Sequence, residues 1–158
     1  MSLKIGEPIP DIELALTGGR TARLSDLRGR HLVVYFYPKA STPGCTQEGQ
    51  DFRDAHDAFA AASATILGAS RDGIKAQENF KAKQAFPFDL VSDTDEALCR
   101  MFDVIKLKKM YGRESLGVER STFLIDADGV LRREWRKVKV KGHVDEVLAA
   151  DRELPGGA

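Results

Sequence analysis

Apolar residues in this chain come in short runs broken by polar turns, and the period of each run predicts its element. From Ile9 to Leu24 they alternate imperfectly (Ile12, Leu14, Leu16, then Ala22 and Leu24) around Thr17-Gly18-Gly19-Arg20, which predicts a β-hairpin. Ser25-Asp26-Leu27 carries a helix-start signal that Gly29 ends within one turn. His31 to Tyr37 (HLVVYFY) is almost continuously apolar, β-branched and aromatic, the pattern of a central strand buried on both faces. Pro38 breaks it. After a Ser-Thr-Pro-Gly turn, Cys45 opens a helix in which Phe52, Ala55 and Phe59 recur at helical spacing through about residue 61.

Thr65 to Ser70 predicts a second buried strand, Ile74 to Gln84 a polar helix, and Phe88 to Val91 a short strand after Pro87. Ser92-Asp93-Thr94-Asp95 supplies N-cap candidates for a helix with the stripe Leu98, Met101, Phe102 and Ile105. Lys106 to Gly117 is basic and glycine-punctuated and reads as loop. Ser121 to Asp126 and Val130 to Val140 read as strands around the hairpin turn Asp126-Ala127-Asp128-Gly129, and a last helix runs from about His143 to Ala150. The tail, residues 152–158, is expected to fray. Strands alternate with helices in the middle, and hairpins sit at both ends. That order predicts an α/β fold with a mixed central sheet flanked by helices, in one domain over residues 1–158. Functional groups of such sheets gather at the carboxyl ends of strands, where the turn from Pro38 to Cys45 lies.

Charge narrows the partners. Lys+Arg and Asp+Glu both total 24 and cancel, so no bulk attraction to nucleic acid or membrane is expected. The basic run Arg132, Arg133, Arg136, Lys137, Lys139 and Lys141 reads as a solvated strand face, and Trp135 alone is no base-stacking platform. The start, MSLKIGEPIP, has no apolar run of signal-peptide length, and no segment approaches a membrane span, so a cytoplasmic location is expected. Three scattered histidines, His31, His56 and His143, offer no metal-ligand spacing, and no glycine-rich phosphate loop is present. No metal or other cofactor is expected.

Two cysteines, Cys45 and Cys99, make neither a disulfide framework nor a C-x-x-C pair. Free cysteines are usually small buried apolar residues. Cys45 departs from that reading, because Thr42, Pro43 and Gly44 form a polar turn before it and Gln47, Glu48 and Asp51 open a polar helix face after it. At a helix start, unpaired N–H groups and the positive helix end favour thiolate over thiol.

The spacing Pro38-x-x-x-Thr42-x-x-Cys45 resembles the active-site signature of the peroxiredoxins. The longer YFYPKASTPGCTQEGQDFRD, with GVERSTFLIDADG downstream, is similar to the bacterioferritin comigratory protein (peroxiredoxin Q) branch. The resemblance runs from Ile9 through the final helix. It implies a thioredoxin-like fold with an N-terminal hairpin addition and a thiol peroxidase that passes through a Cys45 sulfenic acid. By the same resemblance Thr42 places its hydroxyl on the peroxide, Pro38 shields the pocket, and Arg120 bonds both sulfur and peroxide. The N–H groups of Gly44 and Cys45 complete the substrate site. Glu48 matches a glutamate often found three residues after the cysteine, in a structural role.

Recycling is less defined. The family's second, resolving cysteine commonly lies five residues after the first, where this chain has Gln50, or in the helix after TILGAS, at the position of Lys81. Cys99 falls near the edge of its helix stripe, so it is either a packing residue or a partly exposed thiol, and packing is favoured. A one-cysteine mechanism follows, with the sulfenic acid reduced by thioredoxin, glutaredoxin or a small thiol; the alternative makes Cys99 the resolver. Thioredoxin-type disulfide exchange and a non-enzymatic redox relay or chaperone are the competing classes. Members of this branch are often monomeric, and a monomer is expected.

Overall fold

The computed structural model describes residues 3–155. The predicted hairpin is strands β1 (Glu13–Leu16) and β2 (Arg20–Arg23), paired antiparallel and followed by one 3-10 turn at Leu24–Leu27. The apolar run forms β3 (His31–Phe36), and β4 (Ala64–Ser70) pairs parallel to it along its whole length. β5 (Asp89–Ser92) adds in parallel beyond β4. On the other side of β3, β8 (Ser121–Ile125) pairs antiparallel to it, and β9 (Leu131–Trp135) pairs antiparallel to β8. The sheet order is β2-β1-β5-β4-β3-β8-β9, with β3 near its centre. All six residues of β3 are buried, as an unalternating apolar run requires when both faces are covered.

The two faces carry separate cores. Val33, Tyr35 and Tyr37 point to one, where they meet Phe52, Phe59, Phe80 and Val147. Those partners come from helices α1 (Pro43–Asp54), α2 (His56–Ala61), α3 (Ile74–Gln84) and α5 (His143–Glu153). Leu32, Val34 and Phe36 point to the other, against Leu98, Cys99 and Phe102 around the short helix α4 (Ala97–Met101). Period-2 alternation along β3 therefore decides which core each residue enters.

Several expectations need correction. The helix predicted to run from Cys45 to about residue 61 breaks at Ala55 into α1 and α2. The stripe read as reaching Ile105 ends at Met101, because Asp103 turns with φ 53° and Ile105 opens a strand. The segment read as loop, Lys106 to Gly117, is a second hairpin, β6 (Ile105–Met110) with β7 (Arg113–Val118), turned at Gly112 with φ 75°. Its lysine content hid the strands: among the described side chains, its base, Ile105 and Val118, is what reaches a core. The strand predicted over Val130 to Val140 ends at Trp135. Within the basic run, Arg136 is no solvated strand residue: it donates to the carbonyls of Phe102 and Asp103 at 2.9 Å and lies over the Phe123 ring. The chain does not fray from residue 152. α5 continues through Arg152 and Glu153, and the Pro155 carbonyl lies 2.6 Å from His31 Nε2; residues 156–158 lie outside the described residues.

Candidate active site

Strand β3 ends at Phe36, and the chain then leaves the sheet through Pro38, Lys39, Ala40, Ser41 and Thr42 before Pro43 starts α1. Proline suits a first helical position, since its fixed φ is helical and its missing N–H is an orphan there anyway. Gly44 and Cys45 follow, still in the first turn, where N–H groups have no intrahelical acceptor. The first bond of the helix is from Thr46 N–H to Thr42 carbonyl at 2.8 Å.

Cys45 is buried, with 1% of its surface exposed. Arg120, on the two-residue link between β7 and β8, reaches it across the top of the sheet. One guanidinium nitrogen, Nη2, donates to Cys45 Sγ at 3.4 Å, and the other, Nη1, donates to Glu48 Oε1 at 2.7 Å. Glu48 lies one turn after Cys45 on the same helix face, so one guanidinium fork spans both. A Cβ on Gly44 would stand 3.2 Å from Arg120 Nη2, so the absence of a side chain there lets the guanidinium lie against the helix. Thr42 is half-buried, and its hydroxyl donates to the Lys39 carbonyl at 2.8 Å. Pro38 is also half-buried. Five of the residues predicted for the site, Pro38, Thr42, Gly44, Cys45 and Arg120, thus belong to one strand-to-helix turn and the arginine that crosses it.

Glu48 was assigned to the polar helix face, and that is corrected: none of its surface is exposed. Burial pushes its carboxyl up to about 7, against the pull of Arg120. Its second oxygen, Oε2, is buried with no hydrogen-bond partner. For Arg120, burial acts to lower the guanidinium, but Glu48 and Cys45 beside it raise it overall. Nearby, burial and then Arg120 lower His143 to about 4, so its ring is neutral around pH 7; its Nε2 and Thr122 Oγ1 are 2.8 Å apart. Lys108, read as a loop residue, donates to the Val118 carbonyl at 2.7 Å, two residues before Arg120, and burial and then Arg120 lower it. The sequence signal for Glu48 was its spacing of three from Cys45. Lys108 carried none.

Cys99 belongs elsewhere. It is wholly buried in the core on the opposite face of the sheet from Cys45. Asp93 accepts the N–H groups of Leu98 and Cys99 at 3.0 and 2.7 Å, fixing the start of α4. Burial pushes the Cys99 thiol far up, and Asp93 adds to it. The two positions expected for a second thiol are polar: Gln50 donates to Gln84 at 2.9 Å, and Lys81 to Asp89 at 2.8 Å. Among the described residues, no His, Cys, Asp or Glu cluster could hold a metal ion.

The AhpC/TSA family model matches residues 5–134. Peroxiredoxin Bcp of Xanthomonas campestris is 59% identical over 140 residues, covering 89% of this chain and 88% of its own. Peroxiredoxin Bcp of Bacillus subtilis is 50% identical over 154 residues, covering 98% of each. Solved structures of Xanthomonas campestris peroxiredoxin Q superpose with a TM-score of 0.86 at 57% identity, covering 89% of each chain. One structural study of that Xanthomonas protein concerns its alkyl peroxide reduction activity, in trapped intermediate and ligand complexes. Peroxiredoxin Q of Xylella fastidiosa, as a cysteine-to-serine variant, gives a TM-score of 0.91 at 45% identity, covering 95% of this chain and 96% of that one. The mixed sheet flanked by helices is thus a thioredoxin-like peroxiredoxin fold, and the chain belongs to the AhpC/TSA family, in its peroxiredoxin Q (bacterioferritin comigratory protein) branch.

Proposed function

We propose that this peroxiredoxin reduces hydrogen peroxide and small organic hydroperoxides through Cys45, by a one-cysteine mechanism. The observation that carries the proposal is the single guanidinium bonded at once to Cys45 Sγ and to the buried Glu48. The thiolate is the form that attacks peroxide, and a fixed guanidinium stands within bonding distance of the sulfur. In the reaction, the Cys45 sulfur bonds to one peroxide oxygen, the O–O bond breaks, and the other oxygen leaves with the electron pair. It takes up a proton and departs as water or alcohol, and Cys45 is left as sulfenic acid. Negative charge moves from sulfur to the leaving oxygen, so fixed donors beside both lower the barrier. Arg120 and the first-turn N–H groups of Gly44 and Cys45 fill that role. The Thr42 hydroxyl hydrogen is committed to Lys39, which leaves the oxygen free to accept the peroxide O–H. Pro38 shields the pocket. The alkyl peroxide reduction studied in the Xanthomonas relative supports an organic hydroperoxide as one substrate.

Recycling in this reading comes from outside. One external thiol condenses with the sulfenic acid, releasing water and leaving a mixed disulfide, and a second thiol attacks that disulfide and frees Cys45. Thioredoxin is the proposed reductant, with glutaredoxin or a small thiol as substitutes, acting on a cytoplasmic monomer. The placement of Cys99 across the sheet argues against an internal disulfide, and so do Gln50 and Lys81 at the other expected positions. Thioredoxin-type exchange is disfavoured by the lack of a C-x-x-C pair. Cys45→Ser should abolish peroxide consumption in a coupled assay with thioredoxin or dithiothreitol. A variant that keeps an appreciable rate ends the assignment, and oxidation of Cys45 without turnover under reductant favours the redox relay.

A further inference from the structure

The segment between β3 and α1 is held in a costly shape. Ser41, just before Thr42, sits at φ 65°, a left-handed conformation that a non-glycine residue adopts only when its surroundings enforce it. A network of hydrogen bonds holds the residues beside it. Asp72 Oδ2, from the turn after β4, accepts the backbone N–H of Ala40 at 2.8 Å. The same oxygen accepts the Ser70 hydroxyl at 2.5 Å. Ser70 in turn accepts Gln77 Nε2 at 3.0 Å, and Gln77 Oε1 accepts the Tyr37 hydroxyl at 2.5 Å. Ser70, Gln77 and Tyr37 have none of their surface exposed. Gln77 is further pinned by donating to the Val91 carbonyl at 2.8 Å. Tyr37 and Ala40 flank Pro38, so one buried polar chain grips the loop on both sides of it.

From this geometry we propose that Asp72 is a positioning residue for the peroxidase reaction, a carboxylate clamp that holds the Pro38–Thr42 loop over Cys45. It does not touch the sulfur. It keeps Ser41 in its left-handed conformation and thereby sets where the Thr42 hydroxyl and the first turn of α1 stand. Without it, Ser41 relaxes, the loop samples open forms, and only the closed fraction reacts rapidly with peroxide. The inference rests on the reading of Cys45 as the reacting thiol.

Three proteins test it: the unaltered chain, Asp72→Ala, and Asp72→Asn, whose side-chain oxygen still accepts the Ala40 N–H. Two rates are read in each, the oxidation of Cys45 by one equivalent of hydrogen peroxide and the labelling of each cysteine by N-ethylmaleimide under native conditions. Asp72→Ala should oxidise about tenfold more slowly or worse, yet its Cys45 should label faster while Cys99 stays unlabelled. Asp72→Asn should recover most of the oxidation rate. General destabilisation would expose both cysteines, so labelling of Cys99 alongside Cys45 overturns the clamp. An oxidation rate for Asp72→Ala equal to the unaltered chain overturns it too, with the function intact. If the unaltered chain itself leaves Cys45 unoxidised, the peroxidase reading falls and the clamp with it.

Discussion

Replacing Arg120 by alanine removes two things at once, and the structure predicts how to separate them. The first is the donor on Cys45 Sγ. Loss of one such preorganised donor typically lowers a rate by about 10²–10³, so Cys45 oxidation by hydrogen peroxide should slow by that order. The second is the partner of Glu48, a carboxyl with none of its surface exposed and one oxygen already unpartnered. Stripping a buried charge of its partner costs about 3–5 kcal/mol. That penalty applies only while Glu48 is ionised. Burial already holds its carboxyl up at about 7, above an ordinary 4.5, and losing Arg120 raises it further. The destabilisation is therefore largest at pH 8 and shrinks toward pH 5, where Glu48 takes a proton. The double variant Arg120→Ala/Glu48→Gln removes the orphaned charge and should regain stability at pH 8 while staying as slow as Arg120→Ala. Quenched-flow oxidation followed by thiol alkylation and mass analysis gives the rate, and urea titration at both pH values gives the stability. A double variant that regained its rate together with its stability would refute the reasoning, since Arg120 would then act only by neutralising Glu48.

Glu48→Gln alone tests the buried carboxyl. A carboxyl raised in the fold stabilises it below its unfolded value, and that contribution is lost as pH climbs from 4.5 to about 7. The stability difference between unaltered and Glu48→Gln proteins should therefore drift by roughly 3 kcal/mol across that window, and a flat difference would show that Glu48 stays charged throughout. His143 has the opposite sign: its ring is lowered to about 4, so the fold loses stability as pH falls from 6.5 toward 4, a slope that His143→Gln should flatten in acid titrations. Gly44→Ala should slow peroxide reduction, because the new methyl crowds the guanidinium at 3.2 Å, and crystallography should find Arg120 displaced. An unmoved Arg120 with full rate contradicts that.

The sequence revealed most where pattern and chemistry agree. β3 was legible because six consecutive apolar residues, Leu32 to Tyr37, leave no other reading, and the turn after it because proline, glycine and a lone cysteine sit where a strand must meet a helix. Arg120 was legible through resemblance alone, since nothing local marks a residue that acts across the sheet. Glu48 was misread because a carboxylate on a polar-looking helix suggests solvent, and only the tertiary position of Arg120 makes its burial tolerable. The β6–β7 hairpin was missed because alternation needs one buried face, and among the described residues beyond Ile105 and Val118 that hairpin has none. Cys99 sat at the edge of its stripe in sequence, and in the fold it packs inward beside Leu98 and Phe102. The Asp72 clamp left no trace in spacing, since its partners come from the residue after β3, from β4 and α3, and from the loop they enclose.

The central claim, that Cys45 reacts with peroxide while Cys99 is walled off behind the sheet, meets its most direct test in the intact mass after one equivalent of hydrogen peroxide. The structure predicts a gain of one oxygen, located at Cys45 by peptide mapping, with Cys99 recovered as a free thiol. Loss of two hydrogens, with a peptide linking Cys45 to Cys99, would contradict it.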